Sequence, residues 1–178
     1  MNNEMLNIPR SSATNLNVLV VYDNLGAGIQ AKYFCDRLAQ RLAPRVELQL
    51  GLWNLSALQL PPLARAAEDE ATQTDLLLIV VNGDEPLPPP IKNWISRCAR
   101  RLRSNAGAVV AQLHGILRMN QELSPAYEWL KHFAVDAGLD FFSEVVEPAG
   151  EKLDDSIESI HGRSHMCSPV LAGILQVH

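Results

Sequence analysis

The stretch Thr74–Arg101, TDLLLIVVNGDEPLPPPIKNWISRCARR, decides how the rest of the chain is read. Leu76 to Val81 is an unbroken apolar run, the pattern of a strand covered on both faces. Asn82-Gly83-Asp84 ends it with turn formers. Pro88, Pro89 and Pro90 then fix φ and remove three backbone donors, which predicts a stiff, extended loop. With Pro90 as first helical residue, Ile91, Trp94, Ile95, Cys98 and Leu102 recur at helical spacing on one face. Strand, rigid loop and helix form one unit of an open parallel sheet. Ligands of such sheets bind where the loops leave the carboxyl ends of the strands.

Similar units lie on either side. Asn17–Tyr22 is a buried strand, and Asp23–Gly28 is a turn that opens a helix over Ile29–Leu42. That helix carries Ile29, Tyr33, Phe34, Leu38 and Leu42 as its apolar face, and Pro44 ends it. Val46–Trp53 alternates apolar and polar residues, the period of a strand nearer the sheet edge. The segment 54–73 reads as an irregular stretch running into a short, acidic, solvated helix. After a break at Ser104-Asn105, Gly107–Leu113 is a fourth buried strand and His114-Gly115 begins a loop. Ser124-Pro125 starts a helix with Tyr127, Leu130, Phe133, Ala134 and Ala137 on one face, closed by Gly138. Phe141–Val146 is the fifth strand. Residues 147–164 read as a polar loop, and Ser168-Pro169 caps a last apolar helix, Val170–Val177. Residues 1–16 are expected to be a flexible leader and 17–178 a single domain. Five strands alternating with helices imply parallel strands joined by right-handed crossovers, a three-layer α/β sandwich.

Composition excludes several classes. With 47% apolar and 20% charged residues in 178, the chain is globular rather than disordered. A net charge of -5 argues against a non-specific nucleic-acid binder. No apolar run reaches the ~20 residues of a membrane span, and the polar N-terminus lacks the apolar core of a signal peptide. Cys35, Cys98 and Cys167 have no CxxC spacing, so a reducing compartment, the cytoplasm, is expected.

Three stretches carry a family resemblance. VELQLGLWNLSALQLPPL (46–63), DLLLIVVNGDEPLPPPIKNWISR (75–97) and GAVVAQLHG (107–115) are similar to the second, third and fourth strand regions of the NADPH-dependent FMN reductase branch of the flavodoxin-like fold. Within them Leu87-Pro88, Pro90-Ile91-Lys92-Asn93 and Trp94-Ile95 match best. The resemblance, over residues 17–146, implies strand order 2-1-3-4-5, FMN and NADPH as cofactors, an oxidoreductase activity and a homodimer. It also implies a site among the loops Asp23–Gly28, Asn82–Leu87 and His114–Arg118. The cofactor-binding positions are then Asp23, Asn24, Gly26, Gly28, Asn82, Gly83, Asp84, Glu85, Pro86, Leu87, His114 and Gly115.

The loop chemistry departs from that family. Its first loop grips the FMN phosphate with Ser and Arg side chains and helix amides. Here no basic or hydroxyl side chain is present in 23–28, and Asp23 repels a dianion. The third-strand loop is shorter by one residue and lacks the aromatic that lies against the flavin. Two function classes follow. One is a reductase-like oxidoreductase with weakened or lost flavin binding. The other is a flavin-free module that binds a small ligand or partner. A colourless protein with FMN affinity no better than micromolar is expected.

Other constellations favour plainer readings. Asp23 and Asp84 stand where a receiver domain has its acids, but Glu147-Pro148 and His114-Gly115 replace the companion Lys and Ser/Thr, which leaves turn-forming acids. His161, His165 and Cys167 have metal-compatible spacing without a fourth ligand, so solvated loop residues are preferred and no metal is expected. Lys92, Arg97, Arg100, Arg101 and Arg103 read as a solvated basic face, with an acidic docking partner as the sharper alternative. Tyr33, Phe34, Trp129, Leu130 and Phe133 are expected in the core. His114, on the rim, can hydrogen-bond a ligand or donate a proton. No Ser-His-Asp or Cys-His arrangement is legible, so no catalytic residue is assigned.

Overall fold

The computed structural model describes residues 14–102 and 107–146. In chain order these form β1 (Thr14–Tyr22), α1 (Leu25–Leu42), β2 (Val46–Asn54), α2 (Pro61–Ala71), β3 (Leu76–Asn82), α3 (Pro89–Ala99), β4 (Ala108–His114), α4 (Pro125–Asp136) and β5 (Asp140–Val145). The strands make one parallel sheet in the order β2-β1-β3-β4-β5. This is the flavodoxin-like arrangement, and its switch point lies between β1 and β3.

Burial explains the order. Leu76–Val81 and Ala108–Leu113 are buried at every position, so β3 and β4 must be covered on both faces. Alternate residues divide between two cores. Leu19, Val21, Leu77, Ile79, Val109, Ala111 and Leu113 pack against α2, α3 and α4. Val18, Val20, Leu76, Leu78, Val80, Ala108 and Val110 pack with Ala27, Ala31, Phe34 and Cys35 of α1. Trp94 is buried at 1% exposure, and its indole Nε1 donates to the Ala64 carbonyl at 3.1 Å, which joins α3 to α2. Truncating such a side chain costs about 3–5 kcal/mol.

Several expectations are corrected. Strand β1 begins at Thr14, so Thr14–Leu16, placed by sequence in the leader, pair with Val46–Leu48. Helix α1 starts at Leu25 rather than Ile29 because Asn24 caps it, its Oδ1 accepting from Ala27 N at 3.0 Å. The buried stripe of α1 runs through Ala27, Ala31, Phe34, Cys35 and Leu42, while Ile29 and Tyr33 face solvent. Small residues let the helix lie close to the sheet, and the large side chains are left on the far side. Helix α2 is not a solvated helix: Ala64, Ala67 and Ala71 are buried on the sheet. Its acids are used, with Glu68 Oε1 2.7 Å from Arg97 Nε, Asp69 Oδ1 2.8 Å from Arg101 Nη1, and Glu70 Oε2 accepting from Trp53 Nε1 at 2.7 Å. The basic face of α3 is therefore partly consumed by α2. Ala137, expected on the apolar face of α4, is exposed. Trp129 and Phe133 are half-buried and stack at 5.2 Å with Lys92 Nζ over the Trp129 ring. The His161, His165 and Cys167 group, Arg103 and the helix expected at 170–177 lie outside the described residues. Among the described residues no helix is long and apolar enough to cross a membrane, and no group of three or more His, Cys, Asp or Glu could hold a metal ion.

Candidate functional site

The register brings three strand ends to one level. Tyr22 pairs with Val80 and Asn82 with His114, so Asp23, Asn82 and His114 follow one another across β1, β3 and β4. Asp23 and His114, 91 positions apart, reach over the end of β3 to meet. The His114 Nε2 lies 2.9 Å from Asp23 Oδ2 and 3.0 Å from Oδ1. Oδ2 also accepts from the Asn82 backbone N–H at 2.7 Å, and Oδ1 accepts from Asn24 Nδ2 at 2.8 Å. A carboxylate offers only acceptors, so the ring nitrogen that faces it carries the hydrogen and Nδ1 is left to other partners. Both side chains are about a quarter exposed, 26% for His114 and 25% for Asp23, so the pair is reachable from solvent.

The surrounding loops hold this centre in place. Asn54 Nδ2 approaches the Asp23 carbonyl at 3.4 Å, and Gly83 N donates to His114 O at 2.8 Å. Ser124, the N-cap of α4, accepts from Tyr127 N at 3.1 Å and donates to the Gly83 carbonyl at 2.6 Å. One buried hydroxyl thus ties the β3 loop to the start of α4. Asn82 Oδ1 accepts from Asp84 N at 3.0 Å and closes the turn after β3. Gly115 has φ +78°, and a Cβ there would stand 2.7 Å from Asn82 Oδ1. Only glycine lets the chain turn away from β4 at this point.

The expected site residues therefore do different things. Asp23, Asn24, Asn82 and His114 form one hydrogen-bonded group, with Gly83 and Gly115 shaping the backbone beneath it. Gly26 and Gly28 stand in the first turn of α1. A Cβ on Gly28 would come 3.0 Å from the Tyr22 ring, so this glycine serves close packing. Asp84, Glu85 and Pro86 are exposed and take no part in the Asp23 group. Leu87 is a correction: it turns inward and packs with Ile91 and Trp94 in the core. The receiver-like pairing of Asp23 with Asp84 is not formed, because Asp23 is committed to His114, Asn24 and Asn82.

The sequence reading missed the exposed apolar side chains that follow the strands. Exposed large side chains stand after three strands: Leu25 after β1, Leu60 and Leu63 after β2, and Leu117, Met119 and Leu123 after β4. Part of their signal was present in the sequence, since Leu25 and Leu117 follow closely on the ends of β1 and β4.

The side chains of this centre do not favour a phosphate dianion. A phosphate dianion at the first loop would need donors, yet no basic side chain stands in 23–28, Asn24 takes the Ala27 amide, and the Asp23 carboxylate immediately precedes the cap. Asp23, Asp84 and Glu85 outnumber His114 and Arg118 over the three rim loops. The two cysteines among the described residues are buried on α1 and α3, away from the rim. Burial pushes the Cys35 thiol up to about 12 and raises Cys98 likewise, so neither is a ready nucleophile.

No family model and no curated protein matches the chain. Among solved structures it is similar to the metal-soaked Flv1 flavodiiron core from Synechocystis sp. PCC6803, at 17% identity and a TM-score of 0.45. The similarity covers 78% of this chain and 32% of that one, so this chain spans under a third of that protein's length.

Proposed function

We propose that this chain is a flavodoxin-like binding module that works without flavin. Its rim takes an organic ligand with an apolar body and a neutral or cationic polar head. The head meets Asp23 and His114, and the body lies against exposed apolar side chains of the same loops, Leu25 and Leu117. The observation that carries this reading is the Asp23 carboxylate, anchored by Asn24, Asn82 and His114 at the helix N-terminus where a flavin phosphate would have to sit. Losing two or three charge-assisted hydrogen bonds to phosphate, at roughly 1.5–3 kcal/mol each, lowers affinity by several orders of magnitude.

A second reading, an NADPH-dependent FMN reductase-like oxidoreductase, is favoured by the strand order and by the proline-stiffened loop after β3. Titration of FMN into the purified chain, followed by flavin fluorescence and NADPH oxidation, separates the two. Binding no tighter than micromolar, without NADPH oxidation, is expected. Stoichiometric nanomolar binding with turnover would establish the reductase instead.

A further inference from the structure

We infer that the cleft between α2 and α3 is a second binding site, one for a carboxylate-bearing organic ligand. It shares no residue with the Asp23–His114 centre. The cleft encloses about 670 Å³, within the roughly 300–1,000 Å³ of small-molecule sites. Its apolar surface comes from Leu58, Pro61, Ala64 and Pro90, and two arginines, Arg65 and Arg97, are among its lining residues.

The two arginines are placed differently, and together they make an anion site. Arg97 is held through Nε by Glu68 Oε1 at 2.7 Å, and the Glu68 side chain is only 10% exposed. That bond uses one edge of the guanidinium and orients the plane, which leaves the terminal nitrogens for a ligand. Arg65 stands one turn before Glu68 on the same flank of α2, is exposed, and has no ion pair among the described residues. Two positive charges against one carboxylate leave the cleft net positive on a chain of net charge -5. An anion drawn here is drawn by these side chains, not by the field of the whole protein.

Few backbone donors stand beside them. Pro61 and Pro62 open α2, Pro89 and Pro90 open α3, and none has an N–H. Several of the following amides are already used: Ala64 N donates to Leu60 O at 2.9 Å, and Ile91 N and Lys92 N donate to Pro88 O at 3.0 Å. Recognition of the charged group falls to the arginines, with Asn93 beside Arg97 on the α3 wall. The apolar surface selects a ligand with a hydrocarbon or aromatic body over a bare inorganic anion.

The test uses the full chain with 4-phenylbutyrate as probe and its uncharged amide, 4-phenylbutyramide, as control, by calorimetry. The acid should bind at least about tenfold more tightly than the amide. Arg65→Gln should weaken the acid by about tenfold and leave the amide unchanged. Arg97→Lys, which keeps the charge and the Glu68 pair but not the fork, should weaken it by a similar factor of about ten. Arg65 is exposed and unpaired among the described residues, so Arg65→Gln keeps the melting temperature and reads binding alone. Equal affinity for acid and amide, no saturable binding of the acid at ~10 mM, or full affinity in Arg65→Gln each overturns the assignment.

Discussion

Replacing Asp23 by Ala removes the acceptor that three rim elements share, and the loss can be worked out contact by contact. The Asn82 backbone N–H, part-buried and 2.7 Å from Oδ2, is the costly one. Left without its acceptor, it costs about 1–2 kcal/mol. Asn24 and His114 are open enough to take water instead, and their contacts with Asp23 contribute about 0.5 kcal/mol each. The sum is about 2–3 kcal/mol, or about 4–12 °C in melting temperature for a chain of this size. Urea denaturation should show a lower midpoint at unchanged slope. Asp23→Asn keeps an acceptor for the Asn82 amide and should lose only about 1 kcal/mol. The decisive measurement is the cycle with His114→Ala, where the double variant should be less destabilised than the two singles added, by about 0.5–1 kcal/mol. Strict additivity would mean that the carboxylate and the imidazole do not meet in solution. The rim centre, and the ligand reading built on it, would then fall.

Ser124→Ala should cost about 1–3 kcal/mol, because one hydroxyl both caps α4 and satisfies the Gly83 carbonyl; the loss is read from urea midpoints, and Ser124→Thr should restore part of it. Native chain at pH 8 should expose at most Cys167 to a thiol reagent, whereas all three cysteines react in denaturant. The Cys35 thiol is raised from 9.0 to about 12 by burial, so folding favours the protonated form. Its stabilising share is therefore complete below pH 9.0 and is lost as pH climbs towards about 12. Cys35→Ala should flatten that alkaline decline in a denaturation series, and an unchanged slope would contradict the burial of the thiol.

The sheet was readable because β3 and β4 are continuous apolar runs, which only a doubly covered parallel strand requires. The helices were less readable where small residues do the packing. On α1, Ile29 and Tyr33 outweigh Ala27 and Ala31 in any hydrophobic tally, yet it is the alanines that face the sheet. The acids of α2 read as solvated because their partners, Arg97, Arg101 and Trp53, lie on other elements. At the rim, Asp23 and His114 were each visible as strand-end residues. Their junction was not, since it depends on β1 and β4 ending level on either side of β3. Ser124 was legible as a helix cap, but its second bond, to Gly83, is tertiary and leaves no local mark.

The prolines at the starts of α2, α3 and α4 bear on how the rim behaves in time. Helix starts fray and lids close by rotation about φ in the first turn, and here that rotation is blocked by pyrrolidine rings at Pro61, Pro62, Pro89, Pro90 and Pro125. The rings stiffen the entries to α2, α3 and α4, whereas the turn Asp23–Gly28 into α1 has none. At the stiffened entries little conformational entropy remains to be lost on binding. On the reading proposed above, capture at the loops that lead into α3 and α4 would be a docking event in which little of the helix starts has to move.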